Sequence, residues 1–304
     1  MVASKQIMHY RISHVTRYAY GDPVSLCHSI THLKPRETPF QHCIKSQVRV
    51  LPWPSVSREH RDIFGNQVNY FSIQQSHSEL EVSALSEVEV SVPMVPPLVE
   101  SPPWEQIRDG LTEDRAPTSI AARIFALPSP AIPHDSAALD YAKVSFTPGR
   151  PILEAAQDLM GRIFAEFEYD PTFTTVATPL AEAMAHKRGV CQDFAHVGIA
   201  CLRGLGLPAR YVSGYLETLP PPGQPKLRGA DASHAWFSVF VPGLTQTDCW
   251  VDFDPTNDCL IHEQHITTAV GRDYQDVTPV RGVFYGGGEH QLSVAVDVDR
   301  QVIV

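Results

Sequence analysis

The chain is poor in cysteine, and what it has is scattered. Cys27, Cys43, Cys191, Cys201, Cys249 and Cys259 include no CxxC pair, which argues against both a disulfide framework and a thiolate zinc site. No apolar run approaches the roughly 20 residues that cross a bilayer as a helix, so no membrane partner is expected. The opening "MVASKQIMHYRISH" lacks the apolar stretch of a secretory signal, which makes a reducing cytoplasm the expected compartment. Positive charge is also short: 24 Lys and Arg stand against 34 Asp and Glu, a net charge of -10. Without a cationic surplus to neutralise phosphates, general nucleic-acid binding is not expected. No internal repeat is visible.

What is present fills 304 residues, enough for a large core. Early on, Met8, Tyr10, Ile12, Tyr18 and Tyr20 share one parity; so do Leu80, Val82 and Ala84, then Val88, Val90 and Val92. This alternation, with short turns such as Phe64–Asn66, predicts an antiparallel β domain over residues 1–98. The proline-rich "VPMVPPLVESPP" then breaks the pattern as a connector, with Ser101 placed to cap a short helix. Residues 99–304 form the second predicted unit, with a core at about 150–260 and a strand-rich extension behind it. Ile152, Ala155, Ala156, Leu159, Ile163 and Phe164 suggest one helix face, and a short helix before Gly189 is expected to end there. A further helix opens at Cys191 and carries Phe194, Val197, Cys201 and Leu205, with Gly206 and Pro208 to stop it. Strands follow in "ARYVSGYL", "HAWFSVFV" and "WVDFD", and Leu292, Val294, Val296 and Val298 alternate near the end.

Cys191 follows a glycine-bearing turn, so it can be a nucleophile, a metal ligand or a small packed residue. A helix start favours the first, because its unpaired N–H groups and positive dipole end stabilise a thiolate and can hold an oxyanion. Two further residues sharpen the reading. His234 opens one strand and Asp254 closes another; if the two pair as a hairpin turning at Leu244, His234 faces Asp254, Trp236 faces Asp252 and Ser238 faces Trp250. Asp254 would then orient His234 toward Cys191, the arrangement a cysteine hydrolase requires. Trp236 and Trp250 would line that face and bind substrate. Cys201 is expected in the core, Cys249 off the face, and Cys259 in a loop as an incidental thiol. Asp193 and His196 flank the helix start and are expected to serve structural or surface roles, and Asp252 is a candidate second carboxylate. A zinc site from Cys191, His196, His234 and Asp254 matches no common spacing, so no metal or cofactor is expected.

"RGVCQDFAHVGIACLRGLGLPARYVSGYL", "SHAWFSVFVPG" and "WVDFDPTN" together resemble the transglutaminase-like superfamily, in the bacterial branch grouped as cysteine proteases. "RDIFGNQVNYF" and "HITTAVGRDYQDVTPVRGVFYGGG" are similar to flanking parts of that branch. The resemblance implies an α+β architecture, in which an N-terminal antiparallel β domain precedes a papain-like core of helices on an antiparallel sheet. It implies a triad at Cys191, His234 and Asp254, a thioester intermediate, and a peptide, protein or other amide as substrate. Water as acceptor gives a protease or amidase, and an amine gives a transamidase. The alternative is a non-catalytic peptide-binding module on the same shell. The Cys191 N–H is the expected oxyanion donor, and "GRDYQDV" is expected either to bind substrate or to brace a loop.

Overall fold

A computed structural model describes residues 7–175, 178–218, 229, 231, 233–244 and 249–301. The first six residues of the segment read for a signal therefore lie outside the described residues, as do positions 302–304. The architecture is α+β, with an antiparallel sheet leading into a core of helices packed on a second antiparallel sheet.

The first sheet has seven strands. Its spine is β1 (Ile7–Thr31), joined by β2 (Gln41–Leu51), β3 (Val56–Arg61), β4 (Gln67–Ile73) and β5 (His77–Ser91). The predicted parity holds side chain by side chain. Tyr10, Ile12, Tyr20, Leu80, Val82, Ala84, Val88 and Val90 are buried, whereas Val92, past the end of β5, is exposed. Alternate residues of a strand point to opposite faces, so only one parity reaches the core.

Helices α1 (Trp104–Gly110), α2 (Pro117–Ala122), α3 (Ser136–Ser145) and α4 (Ile152–Glu166) follow the proline-rich connector. Ser101 does not cap α1; its hydroxyl donates to the Leu98 carbonyl and accepts the Leu153 N–H, tying the connector to α4. On α4, Ile152, Ala155, Ala156, Leu159 and Ile163 are buried, but Phe164 is half exposed. At 3.6 residues per turn a neighbour of Ile163 is rotated about 100° off its face.

A two-residue strand, β6 (Glu168–Tyr169), pairs with β7 (Arg188–Gly189), and α5 (Leu180–His186) lies between them in sequence. The predicted stop of α5 at Gly189 is displaced. Lys187 ends the helix in a left-handed conformation with φ 49°, and Gly189 belongs to β7. Next comes α6 (Cys191–Gly204), after which Gly206 adopts the positive φ expected of a helix stop.

The second sheet contains β8 (Ala209–Leu216), β9 (Ser233–Phe240), β10 (Trp250–Asp254), β11 (Cys259–Leu260) and β12 (His265–Gly271), in the order β11-β10-β9-β8-β12. Ala235, Phe237 and Val239 meet Phe194, Val197, Ile199 and Cys201 of α6 in the main core. Gly198 lets helix and sheet approach, since a Cβ there would meet the Phe237 ring at 2.6 Å.

A one-turn helix, α7 (Tyr274–Val277), leads into β13 (Val280–Gly286) and β14 (His290–Gln301). These strands were expected to extend the second unit. They return instead to the first sheet, where both pair with β1, β14 over His9–Tyr20. The physical gain is closure of an edge of β1 and burial of Val296 and Val298. The two sheets are also stitched together. Buried Gln41 exchanges hydrogen bonds with the Thr267 backbone at 2.8 Å each way, and buried Asn66 does the same with Val270 at 2.7 and 2.8 Å. Two side-chain amides thus act as partners for β12, a strand at the end of the second sheet. No described helix is long and apolar enough to cross a membrane.

Candidate active site

Cys191 is the first residue of α6, and its neighbours explain why the helix starts there. The Asp193 carboxylate reaches back to accept the Val190 N–H at 2.8 Å and the Thr174 hydroxyl at 2.9 Å. Gly189 makes room, because a Cβ at that position would meet the Cβ of Asp193 at 2.6 Å. Asp193 is therefore a capping residue, a structural role.

His234 and Asp254 meet, though not through the predicted pairing. The observed register places Asp252 opposite Ser238 and Trp250 opposite Phe240, two residues from the expected alignment. His234 pairs across the sheet with Gly214 of β8 instead. A two-residue slip preserves parity, so both side chains still share a face, and the contact becomes diagonal. His234 Nε2 lies 2.7 Å from Asp254 Oδ2. The Cys191 sulfur lies within hydrogen-bonding reach of the same imidazole.

The electrostatics follow from burial and pairing. Burial pulls the His234 imidazole down, but its bonds and charge interactions with Asp254 and Cys191 outweigh that and push it up to about 10. Burial alone would raise the Asp254 carboxyl; bonds from His234, His265 and Asn257 hold it well below the usual carboxylate range. At neutral pH the pair is an imidazolium against a carboxylate. Asp254 is the hub. Its Oδ2 also receives Asn257 Nδ2 at 2.7 Å and His265 Nε2 at 3.1 Å, while Oδ1 accepts the Thr256 N–H at 2.9 Å.

The cleft over Cys191 holds about 240 Å³. Tyr211, Ser213 and Tyr274 line one side; His14, Thr16, Tyr18, Leu292 and Val294 line the other and come from β1 and β14. The first sheet is thus a wall of the site. Burial lowers His14 to about 4, so it is neutral, and its ring nitrogens contact Thr16 Oγ1 at 2.9 Å and the Tyr215 hydroxyl at 3.1 Å.

Neither tryptophan expected to bind substrate lines this cleft. Trp236 is fully buried beside the rings of His234 and His265, at 5.9 and 5.3 Å between centroids. It fits there because Gly214 has no side chain, a Cβ of which would meet the indole at 2.5 Å and the Ile266 carbonyl at 2.2 Å. Trp250 lies two residues further along than predicted and packs on Phe125 and Phe240, with Arg210 over its ring at 4.4 Å. It borders a separate cavity of about 600 Å³ that also includes Asp252. That larger space contains neither Cys191 nor His234, so Asp252 is not a second carboxylate at the sulfur.

Other expectations resolve individually. Cys201 is fully buried. His196 is buried, lowered to about 4 by desolvation, and accepts the Tyr274 N–H at 3.2 Å. Cys259 is not in a free loop; it pairs with Asp254 in β11, and burial and that carboxylate push its thiol up to about 11. Within "GRDYQDV", Asp273 is fully buried and accepts the N–H groups of Ala131 and Gln275 at 2.9 Å each, a bracing role, whereas Tyr274 reaches the cleft. Among the described residues, metal-capable groupings occur at His234, Asp254 and His265 and at Cys259, His262 and His265; neither includes Cys191 or His196. Sequence reasoning missed Asn257 and His265. The turn chemistry of "DPTN" could have flagged Asn257; His265 carries no local signal, because only the tertiary packing brings it to Asp254.

An antiparallel sheet with a helix packed across it, a cysteine at the helix start and a paired histidine and aspartate on adjacent strands defines a papain-like, transglutaminase-type core. Comparison with known proteins agrees. Residues 10–89 match the bacterial transglutaminase-like N-terminal region, and residues 142–255 match the transglutaminase-like superfamily. An uncharacterized protein of Mycobacterium tuberculosis is 40% identical over 95% of this chain and 92% of its own length. Another, from Mycobacterium leprae, is 32% identical over 95% of this chain and 98% of its own. A crystal structure from Cytophaga hutchinsonii, described as a "putative cysteine protease", superposes with a TM-score of 0.75 at 20% identity, covering 98% of this chain and 92% of that one. The chain belongs to the transglutaminase-like superfamily, in the bacterial group that carries this N-terminal region.

Proposed function

We propose that the protein is a cysteine-dependent amide hydrolase or acyltransferase, with Cys191, His234 and Asp254 as its reacting unit. The observation that carries this reading is the buried His234–Asp254 pair, 2.7 Å apart, with the Cys191 sulfur at a helix start beside the same ring. The sulfur attacks the amide carbonyl carbon, and the Cys191 N–H receives the developing oxyanion. His234, protonated at rest, gives its proton to the leaving nitrogen as the C–N bond breaks, which leaves a thioester on Cys191. An incoming water or amine then attacks the thioester; His234 takes its proton, and the sulfur departs. Asp254 stays ionised throughout, orienting the imidazole and stabilising its charge. The substrate is a peptide, protein or other amide that enters between the core and the wall formed by β1 and β14.

The test is peptide mapping after iodoacetamide treatment at neutral pH, together with a mass-spectrometric screen of amides with and without a primary amine. Cys191 should label first, and Cys191→Ala should fold yet turn nothing over. Preferential labelling of another cysteine while Cys191 stays inert, or turnover by Cys191→Ala, would reject the assignment.

A further inference from the structure

Asp254 is held by a second histidine that the reaction above does not use. We propose that His265 is a positioning residue, which fixes the Asp254 carboxylate so that its Oδ2 stays aligned with His234, making the working unit a chain of four groups. This rests on the reading of Cys191, His234 and Asp254 as the reacting unit.

The geometry is specific. Asp254 is fully buried and His265 is 1% exposed, so no bulk water competes for their 3.1 Å contact. An ionised carboxylate only accepts, so His265 Nε2 carries the proton. Its Nδ1 then bears the lone pair, which accepts the His262 N–H at 3.3 Å. Both ring nitrogens are engaged and the tautomer is determined. The ring plane is set by edge-on packing against Trp236 at 5.3 Å and His262 at 4.5 Å between centroids. On the carboxylate, Oδ1 is tied to the following turn, but Oδ2 must be kept facing His234 against rotation. His265 and Asn257 supply that restraint, with His265 coming from a different strand. β12 is itself clamped by Gln41 and Asn66, so the first sheet supports the strand that carries the restraint. The titratable groups around His265 are His234 on β9, Asp254 on β10, Cys259 on β11, and His262 with Glu263 in the turn before β12.

The chemical consequence has a sign. A donor to an ionised carboxylate favours the ionised form, so its removal raises the pH at which Asp254 takes a proton and stops supporting the imidazolium. His265→Gln keeps an N–H group close to the place of Nε2. His265→Asn keeps polarity but is too short to reach, and His265→Leu keeps volume without a donor. The experiment measures the rate of Cys191 alkylation by iodoacetamide against pH in the full chain, with the low-field proton resonance of His234 as a second readout. Both loss variants should alkylate about tenfold more slowly at pH 7, where the carboxylate is still ionised but no longer held in line with His234, a loss typical of one hydrogen bond to a charged group. Their acid limb should move to higher pH and the His234 resonance should shift, while His265→Gln stays within about threefold of the parent rate. Loss variants that match the parent in rate, limb and resonance would overturn the proposal. So would a His265→Gln variant as impaired as they are, since ring shape and not the donor would then matter. Asp254→Asn separates the two levels: if it leaves alkylation unchanged, the underlying reading of the reacting unit fails, whereas a strong effect there with silent His265 variants removes only His265.

Discussion

Replacing Asp254 by Asn isolates the electrostatic part of the site. The amide keeps an oxygen for the Thr256 and Asn257 N–H groups, which now bond Oδ1 at 2.9 and 3.3 Å, so the turn can persist. What is lost is the negative charge 2.7 Å from His234 Nε2. Moving an imidazole from its ordinary value to about 10 corresponds to about 5 kcal/mol of preference for the protonated ring. Bonding and charge from Asp254 and Cys191 raise the ring against the pull of burial; without the carboxylate that pull remains, so the imidazole falls back toward its ordinary value. Cys191 then loses its imidazolium partner at neutral pH. Alkylation of Cys191 by iodoacetamide, followed by peptide mass, should fall about tenfold or more at pH 7 and recover at strongly alkaline pH. Turnover should fall further, by about 10²–10⁴, because tautomer and orientation are also lost. An Asp254→Asn protein with the parent's alkylation rate and pH profile would refute the electrostatic coupling on which the mechanism depends.

Other outcomes follow from the same geometry. Gly214→Ala should destabilise the fold by about 1–3 kcal/mol or more in urea unfolding, because the added methyl meets the Trp236 ring and the Ile266 carbonyl. Asn66→Ala should cost about 1–3 kcal/mol by the same measurement, since it leaves the Val270 N–H and C=O without their amide partner. The pH dependence of stability has two opposed arms. His234 is raised on folding, so its contribution is complete below its unfolded value of 6.5 and is lost as pH rises through about 10. Asp254 is lowered, so its contribution is present above 3.8 and is lost as pH falls toward its folded value. Thermal midpoints should be flat in these two terms between roughly pH 4 and 6.5 and decline on both sides; Asp254→Asn should remove the acid arm. Turnover should also fall as pH passes about 10, when His234 no longer holds a proton for the leaving group, while alkylation does not.

Much of this was legible in the chain itself. Period-two burial along β1 and β5, the start of α6 at Cys191 and its stop before Gly206 depend on side-chain periodicity and on local backbone preference, which are written residue by residue. The parity that puts His234 and Asp254 on one face is of the same kind, and it survived a two-residue error in register because a strand repeats every two residues. The register itself depends on how the segment between β9 and β10 closes, so it could not be read, and the roles expected of Trp236 and Trp250 went with it. The return of β13 and β14 to β1 and the walling of the cleft by the first sheet were equally hidden, since an edge is satisfied by any complementary strand wherever it lies in the sequence. His265 is the clearest case. Eleven positions from Asp254 and separated from it by β9 and β8 in the sheet order, it gains its meaning only when the chain folds and two histidines meet on one carboxylate.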